Sequence, residues 1–146
     1  MNASRKSGRA GFAGIVAATA FSLAAYSVTS FGGMNKVELS GAQEVPPVMT
    51  SAAGSGTITV NADMSVSGSV TTSGVAGTMA HIHNAAAGKN GPVIIPLTKS
   101  GEHTWSVPAG AKLTDAQYKA YEAGDLYVNV HSAAHKGGEV RGQLKP

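Results

Sequence analysis

Residues 57–70 of the chain read TITVNADMSVSGSV. The first four favour a β-strand, and the turn-forming NAD segment after them ends it. In the second half, Met64, Val66 and Val70 alternate with serines, so apolar side chains take one face and polar ones the other. This pattern predicts two antiparallel strands joined by a tight turn.

Similar short segments continue along the chain from Lys36, with glycine, proline or asparagine between them. One segment differs, because Thr114 with Gln117 forms a capping-box pattern and Gly124 supplies a stop, which predicts a helix from Thr114 to Ala123 over an edge or an open end. About eight short strands and one short helix predict an all-β, antiparallel sandwich or barrel. The remaining strands are predicted around Val37 and Leu39 and at 78–83, 93–97, 103–107, 125–131 and 139–144.

Composition limits the classes of function. The chain has 146 residues, which is the size of one small domain, and no cysteine, which excludes disulfide scaffolds and thiolate metal sites. Its net charge is +3 at pH 7. Three basic residues, Arg5, Lys6 and Arg9, lie in the first ten residues, so the rest of the chain is neutral and a nucleic-acid partner is not expected.

The N-terminal residues have the pattern of a secretory signal peptide. A basic start is followed by an uncharged apolar run from Gly11 to Ala25, too short for the ~20 residues of a membrane span. We expect a signal peptide at 1–25, a short linker at 26–35, a single domain at 36–146, and no membrane span after cleavage. The protein is therefore predicted to be exported to the periplasm or the extracellular space.

Four of the five histidines lie in two clusters. His81 and His83 are two residues apart on a predicted strand, so they emerge on one face, with Met79 beside them. His131 ends a later strand, and His135 follows in a loop. Neutral imidazoles from separate elements can converge on one transition metal, and a nearby thioether favours Cu(I). We therefore predict a metal site formed by these four histidines, with Met79 as a soft neighbour.

Other readings of these residues remain open. Histidines on strands are commonly surface residues or hydrogen-bonded ones, so His81 and His83 also fit a domain without metal. His103 is expected to be packed or solvated. Arg141 stands in the last predicted strand, where it is either an exposed or paired arginine or a guide for an anion near the metal.

Four motifs resemble the CHRD domain, which is named after chordin. They are VELSGAQEVPP at 37–47, AHIH at 80–83 with GPV at 91–93, LYVNVH at 126–131 and GEVRGQL at 138–144. The resemblance extends from about Lys36 to Leu144. It implies a Greek-key sandwich, immunoglobulin-like or dismutase-like, in an extracellular binding module.

The H-x-H strand and the late Gly-x-x-Arg-Gly segment are also similar to copper-zinc superoxide dismutases. That similarity implies His81, His83 and His131 as copper ligands and Arg141 as the catalytic guide for superoxide. The chain lacks the cysteine pair, the bridging histidine and the zinc-binding aspartate, so it implies copper rather than zinc. We expect an exported copper-binding protein, either with dismutase activity or as a carrier; the alternative is a metal-free adhesion or protein-interaction module whose protein partner is unknown.

Overall fold

The computed structural model describes residues 33–146. The predicted signal peptide and most of the predicted linker lie outside the described residues. The described part contains nine strands, a 3-10 turn at Gly41–Gln43 and one α-helix, α1, at Asp115–Glu122. The strands are β1 at Gly33–Ser40, β2 at Ala53–Val60, β3 at Val66–Ser73, β4 at Gly77–Asn84, β5 at Val93–Pro96, β6 at Thr98–Lys99, β7 at Thr104–Ser106, β8 at Leu126–Ser132 and β9 at Val140–Leu144.

All neighbouring strands pair antiparallel in one sheet with the order β5-β4-β8-β9-β1-β2-β3-β7-β6. Its two outermost strands, β5 and β6, follow each other in the chain with Leu97 between them. The Leu97 N–H donates to the Ala80 carbonyl on β4, while Lys99 on β6 pairs with Trp105 on β7. The sheet is therefore closed into a barrel-like shape, which leaves few unpaired edges.

The prediction of an all-β antiparallel fold with one short helix is confirmed. Eight predicted strands correspond to strands of the structure, and β6 is an additional strand of two residues. Strand β1 starts at Gly33, so its first three residues belong to the predicted linker at 26–35. Residues 44–52 form no strand, which agrees with the Pro46-Pro47 pair in this segment, because proline cannot donate a backbone hydrogen bond to a neighbouring strand.

Alternation of side chains along each strand builds the core. Val37 and Leu39 on β1, Ile58 on β2 and Val70 on β3 are at most 2% exposed and point into the interior. Helix α1 closes the end of the barrel where β1 starts. Its Tyr121 is buried, and the Tyr121 hydroxyl accepts a hydrogen bond from Asn35 Nδ2 at 2.6 Å.

The capping box predicted for the helix is present. The Gln117 N–H donates to Thr114 Oγ1, and the Thr114 N–H donates to Gln117 Oε1. The helix ends just before Gly124, whose φ of +79° lies in the left-handed region that glycine adopts without strain. The boundaries differ from the predicted ones by one residue at each end.

Strand β8 differs from an ordinary half-exposed strand because all seven of its residues are buried. Leu126, Val128 and Val130 point into the core, so the other face of the strand is directed outwards. Contacts from segments 85–91 and 135–138, together with Glu44, cover that outward face. A polar layer therefore lies between the barrel wall and its loops.

Candidate metal centre

The candidate site lies on the outward face of β4 and β8. Ala80 and Ile82 of β4 are 1% exposed in the core, so the residues between them and beside them, His81 and His83, lie on the opposite face. In the antiparallel register of β4 with β8, His81 is opposite Asn129 and His83 is opposite Tyr127. This pairing brings the H-x-H strand alongside the outward-facing residues of β8.

Three imidazole rings meet there. His81 Nδ1 is 3.1 Å from His131 Nε2. The ring centroids of His81 lie 5.5 Å from those of His83 and 4.9 Å from those of His131. One ring nitrogen from each of the three residues lies within 4.8 Å of the others, and no aspartate or glutamate of residues 33–146 joins this group. We call these three residues the histidine triad.

Two backbone carbonyls orient the triad. His83 Nδ1 lies 2.9 Å from the Gly91 carbonyl oxygen, and His131 Nδ1 lies 2.8 Å from the Lys136 carbonyl oxygen. A carbonyl oxygen only accepts hydrogen bonds, so both Nδ1 atoms must carry the proton, and the Nε2 atoms keep their lone pairs. His83 Nε2 is buried without a hydrogen-bond partner among the described residues. His131 Nε2 therefore accepts from His81 Nδ1, 3.1 Å away, and the lone pair of His83 Nε2 is not used in a hydrogen bond.

The surroundings of His81 and His83 favour the uncharged form of both rings. Burial lowers the pKa of His81, and the neighbouring His131 and His83 lower it further. Burial also lowers the pKa of His83 and outweighs the opposite effect of its hydrogen bond to Gly91. Since a metal ion needs the neutral form of imidazole, these shifts favour metal binding near neutral pH.

Tyr127 supports the triad from the side of β9. Its ring stacks on the ring of His83, with centroids 4.7 Å apart and an interplanar angle of 3°. The Arg141 guanidinium carbon lies 3.4 Å from the centre of the same tyrosine ring. The Tyr127 hydroxyl accepts a hydrogen bond from the Gly91 N–H, in the segment that also holds His83. Tyr127 therefore fixes the position of one histidine and carries a cation on its ring.

Arg141 is buried rather than open to solvent, with 1% of its surface exposed. Its guanidinium donates hydrogen bonds to Asn90 Oδ1, to the Ala86 carbonyl and to Gln143 Oε1, at 3.2–3.4 Å. Of the two roles that the sequence allows, these contacts match the paired structural arginine. A role in guiding an anion stays a prediction, and in this conformation the guanidinium has no face open to an incoming ion.

A buried carboxyl lies under the same loops. Glu44 is 4% exposed, and burial raises its pKa to about 7, although Arg141 and Asn129 act in the opposite direction. Asn129, 2% exposed, lies beside Glu44, and both contact the space where a side chain on Gly138 would be. Glu44 Oε1 and Asn129 Oδ1 have no hydrogen-bond partner among residues 33–146. This pair forms the innermost part of the polar layer.

The two other histidines lie outside the triad. His135 is half-buried in the turn after β8, where its N–H donates to Ser132 Oγ and its carbonyl accepts from the Gly138 N–H. It supplies no ring nitrogen to the group of three. His103 precedes β7, with half of its side-chain surface exposed, as expected for a solvated residue. The structure therefore brings together three of the four predicted ligands, His81, His83 and His131.

The sequence places Tyr127 and Asn129 on the same strand face as His131 but does not indicate that they support the triad. Tyr127 and Asn129 alternate with the core residues of β8, and that alternation with His131 is the signal that places them on one face. Glu44 gives no comparable signal, since it lies in an irregular segment. The carbonyls of Gly91 and Lys136 are backbone groups, which every residue has, so the residue types at these positions do not predict their contacts with the triad.

Comparisons with known proteins give one match. The family model of the CHRD domain matches residues 36–144, which is most of the chain. No curated protein and no solved structure matches the chain. These comparisons do not show a relation to superoxide dismutases, so that similarity is limited to the arrangement of histidines. No helix within residues 33–146 is long and apolar enough to span a membrane. By its match over residues 36–144, the chain belongs to the CHRD-domain family.

Proposed function

We propose that this CHRD-domain protein is exported and binds one copper ion through His81, His83 and His131. The observation that carries the proposal is the convergence of three imidazoles from β4 and β8, with one nitrogen of each within 4.8 Å of the others. The proposed activity is the binding of the copper ion. Export rests on the N-terminal sequence pattern described above.

The spacing of the triad suits a metal ion. With metal–nitrogen bonds of about 2.0–2.1 Å, two nitrogens on one ion lie roughly 3–4 Å apart, depending on the coordination angle. His81 Nδ1 and His131 Nε2 already have a separation of 3.1 Å, and the proton that His81 Nδ1 donates in this hydrogen bond must move to His81 Nε2 before both nitrogens bind one ion. The third nitrogen needs only a small movement, because every pair lies within 4.8 Å.

The chemistry of the ligands favours copper. Imidazole nitrogens bind zinc, copper, iron and nickel, whereas calcium, magnesium and manganese prefer oxygen ligands. Among the divalent first-row metals, copper has the highest affinity for such sites. Because the triad contains no carboxylate, nothing in its ligand set favours a harder ion over copper.

A dismutase reaction is not included in this proposal. The similarity to dismutases implies Arg141 as the guide for superoxide, but the Arg141 guanidinium is buried and hydrogen-bonded to loop oxygens. Storage or transport of copper requires only the triad and is the function that the geometry supports best.

The experiment is a titration of the purified protein with Cu(II), followed by electron paramagnetic resonance. We expect one equivalent to bind, with hyperfine structure from imidazole nitrogen. A variant with both His81→Ala and His83→Ala, and separately His131→Ala, should lose this site. His103→Ala is the matched control, because it removes a histidine outside the triad and should bind as wild type does.

The titration also tests the alternative. Equal copper binding by wild type and the triad variants would refute the proposal and favour a metal-free interaction module. Loss of binding in His135→Ala as well would indicate that the loop histidine moves to the metal. Circular dichroism of every variant distinguishes loss of the site from loss of the fold.

A further inference from the structure

The surroundings of the triad bear on the oxidation state of the copper that it would bind. Three features matter here: a thioether beside the histidines, a buried cation behind them, and the absence of an anionic ligand. Each concerns residues outside the triad itself, and each favours a soft, singly charged ion.

Met79 is the thioether. It lies on β4 two residues before His81, so both residues occupy the outward face. In the register of β4 with β8, Met79 is directly opposite His131. Directly opposed residues on one face have Cβ atoms about 4.5–5.5 Å apart, which is within reach of a long, unbranched side chain. The strand pairing thus places Met79 beside His131, with the sulfur within reach of the histidine nitrogens.

The Met79 side chain is also free to move. It is 51% exposed, whereas the core residue that follows it, Ala80, is 1% exposed. Methionine has three rotatable bonds and a polarizable sulfur, so it can turn towards an ion without disturbing the core. A β-bulge between Gly77 and Met79 precedes the regular pairing and sets which residue of β4 stands opposite His131.

Arg141 is the cation. Arg141 lies on β9 and contacts the ring of Tyr127 on β8. Strand β8 separates β9 from β4, so Tyr127 lies between Arg141 and His83. The carboxyl that acts on Arg141 is Glu44, and burial raises the pKa of that carboxyl to about 7, so its charge offsets the guanidinium only in part near neutral pH. A divalent ion at the triad would be repelled more strongly than a monovalent ion.

From these features we infer that the triad is a Cu(I) site and that Met79 supplies its fourth ligand through the thioether sulfur. This inference rests on the proposed copper-binding function. Thioether and imidazole together form a donor set that suits Cu(I), whereas the imidazoles alone also suit Cu(II), so the thioether is the ligand that distinguishes the two states. Met79 would therefore make the site discriminate between Cu(I) and Cu(II).

The test compares the affinities for Cu(I) and Cu(II) in wild type and in Met79→Leu. Cu(I) is supplied anaerobically and its affinity is measured by competition with the chelator bathocuproine disulfonate. We expect Met79→Leu to lower the Cu(I) affinity by about tenfold or more and to change the Cu(II) affinity much less. Met34→Leu is the matched control, since Met34 is also exposed, at 78%, but lies on β1.

X-ray absorption on the Cu(I)-loaded protein gives a second readout. Wild type should show a sulfur neighbour at about 2.3 Å, the usual length of a metal–sulfur bond, and Met79→Leu should show only light neighbours. Equal Cu(I) affinities in both proteins, or no sulfur signal in wild type, would overturn the inference while the copper site of the triad stands. Failure of wild type and of Met34→Leu to bind copper in either state would instead refute the proposed function, and the role of Met79 with it.

Discussion

Replacing Glu44 by glutamine should abolish a large part of the pH dependence of folding. The Glu44 carboxyl is 4% exposed, and its pKa is raised from 4.5 to about 7 because burial disfavours the charged form. In the unfolded chain the same group titrates near its ordinary value. The folded protein therefore binds this proton more tightly than the unfolded chain does.

The sign and size of the pH effect on stability follow from this difference in pKa between the folded and unfolded states. The stabilising effect of the protonated carboxyl is fully present below pH 4.5 and is lost as the pH rises to about 7. Each pKa unit corresponds to about 1.4 kcal/mol, so the free energy of unfolding should fall by about 3 kcal/mol across that window through this group. Glu44→Gln carries no charge at any pH and should not show this loss.

The assay is urea unfolding at several pH values between 4 and 8, in the presence of a chelator so that metal binding does not contribute. The relevant quantity is the difference between wild type and Glu44→Gln, because other titrating groups, including His81 and His83, are common to both proteins. The control is Glu38→Gln, which changes an exposed glutamate on β1 and should follow wild type. If the difference in free energy of unfolding between wild type and Glu44→Gln does not vary with pH, the raised pKa of the buried Glu44 carboxyl is refuted.

Three further changes test the polar layer and the helix. Gly138→Ala should lower the free energy of unfolding by about 2 kcal/mol, because Gly138 has a φ of +129° and a new Cβ would collide with Glu44. Gly137→Ala is the control: it has open space around it and should change the free energy of unfolding by less than about 0.5 kcal/mol, and similar losses in both variants would contradict this explanation. Arg141→Lys should cost about 2 kcal/mol, since an ammonium cannot replace the planar guanidinium on Tyr127, and thermal unfolding measures the loss. Thr114→Ala should cost about 1 kcal/mol through the lost cap, whereas Thr114→Ser should retain most of the stability in the same measurement.

Local sequence patterns predict much of this fold for a physical reason. The alternation in Val66–Ser73 and in Leu126–Ser132 depends only on the period of two of a β-strand. The capping box of α1 is likewise local, because Thr114 and Gln117 satisfy each other's backbone groups. Strand β6 has two residues and is defined by its partner β7, so no local pattern indicates it.

The candidate site is predictable in part. The H-x-H spacing places His81 and His83 on one face, but the register between β4 and β8 decides that Met79 rather than its neighbour stands opposite His131. Such a register depends on the whole sheet and on the bulge near Gly77. The burial of Arg141 depends on loops that fold over β9 from distant parts of the chain, so the residue type alone left its role open.

The most direct test of the proposed copper site is anomalous X-ray diffraction from crystals of the copper-loaded protein at the copper absorption edge. The account predicts one strong peak within bonding distance of the ring nitrogens of His81, His83 and His131. A copper peak elsewhere on the molecule, with the triad still joined by the hydrogen bond between His81 and His131, would contradict it.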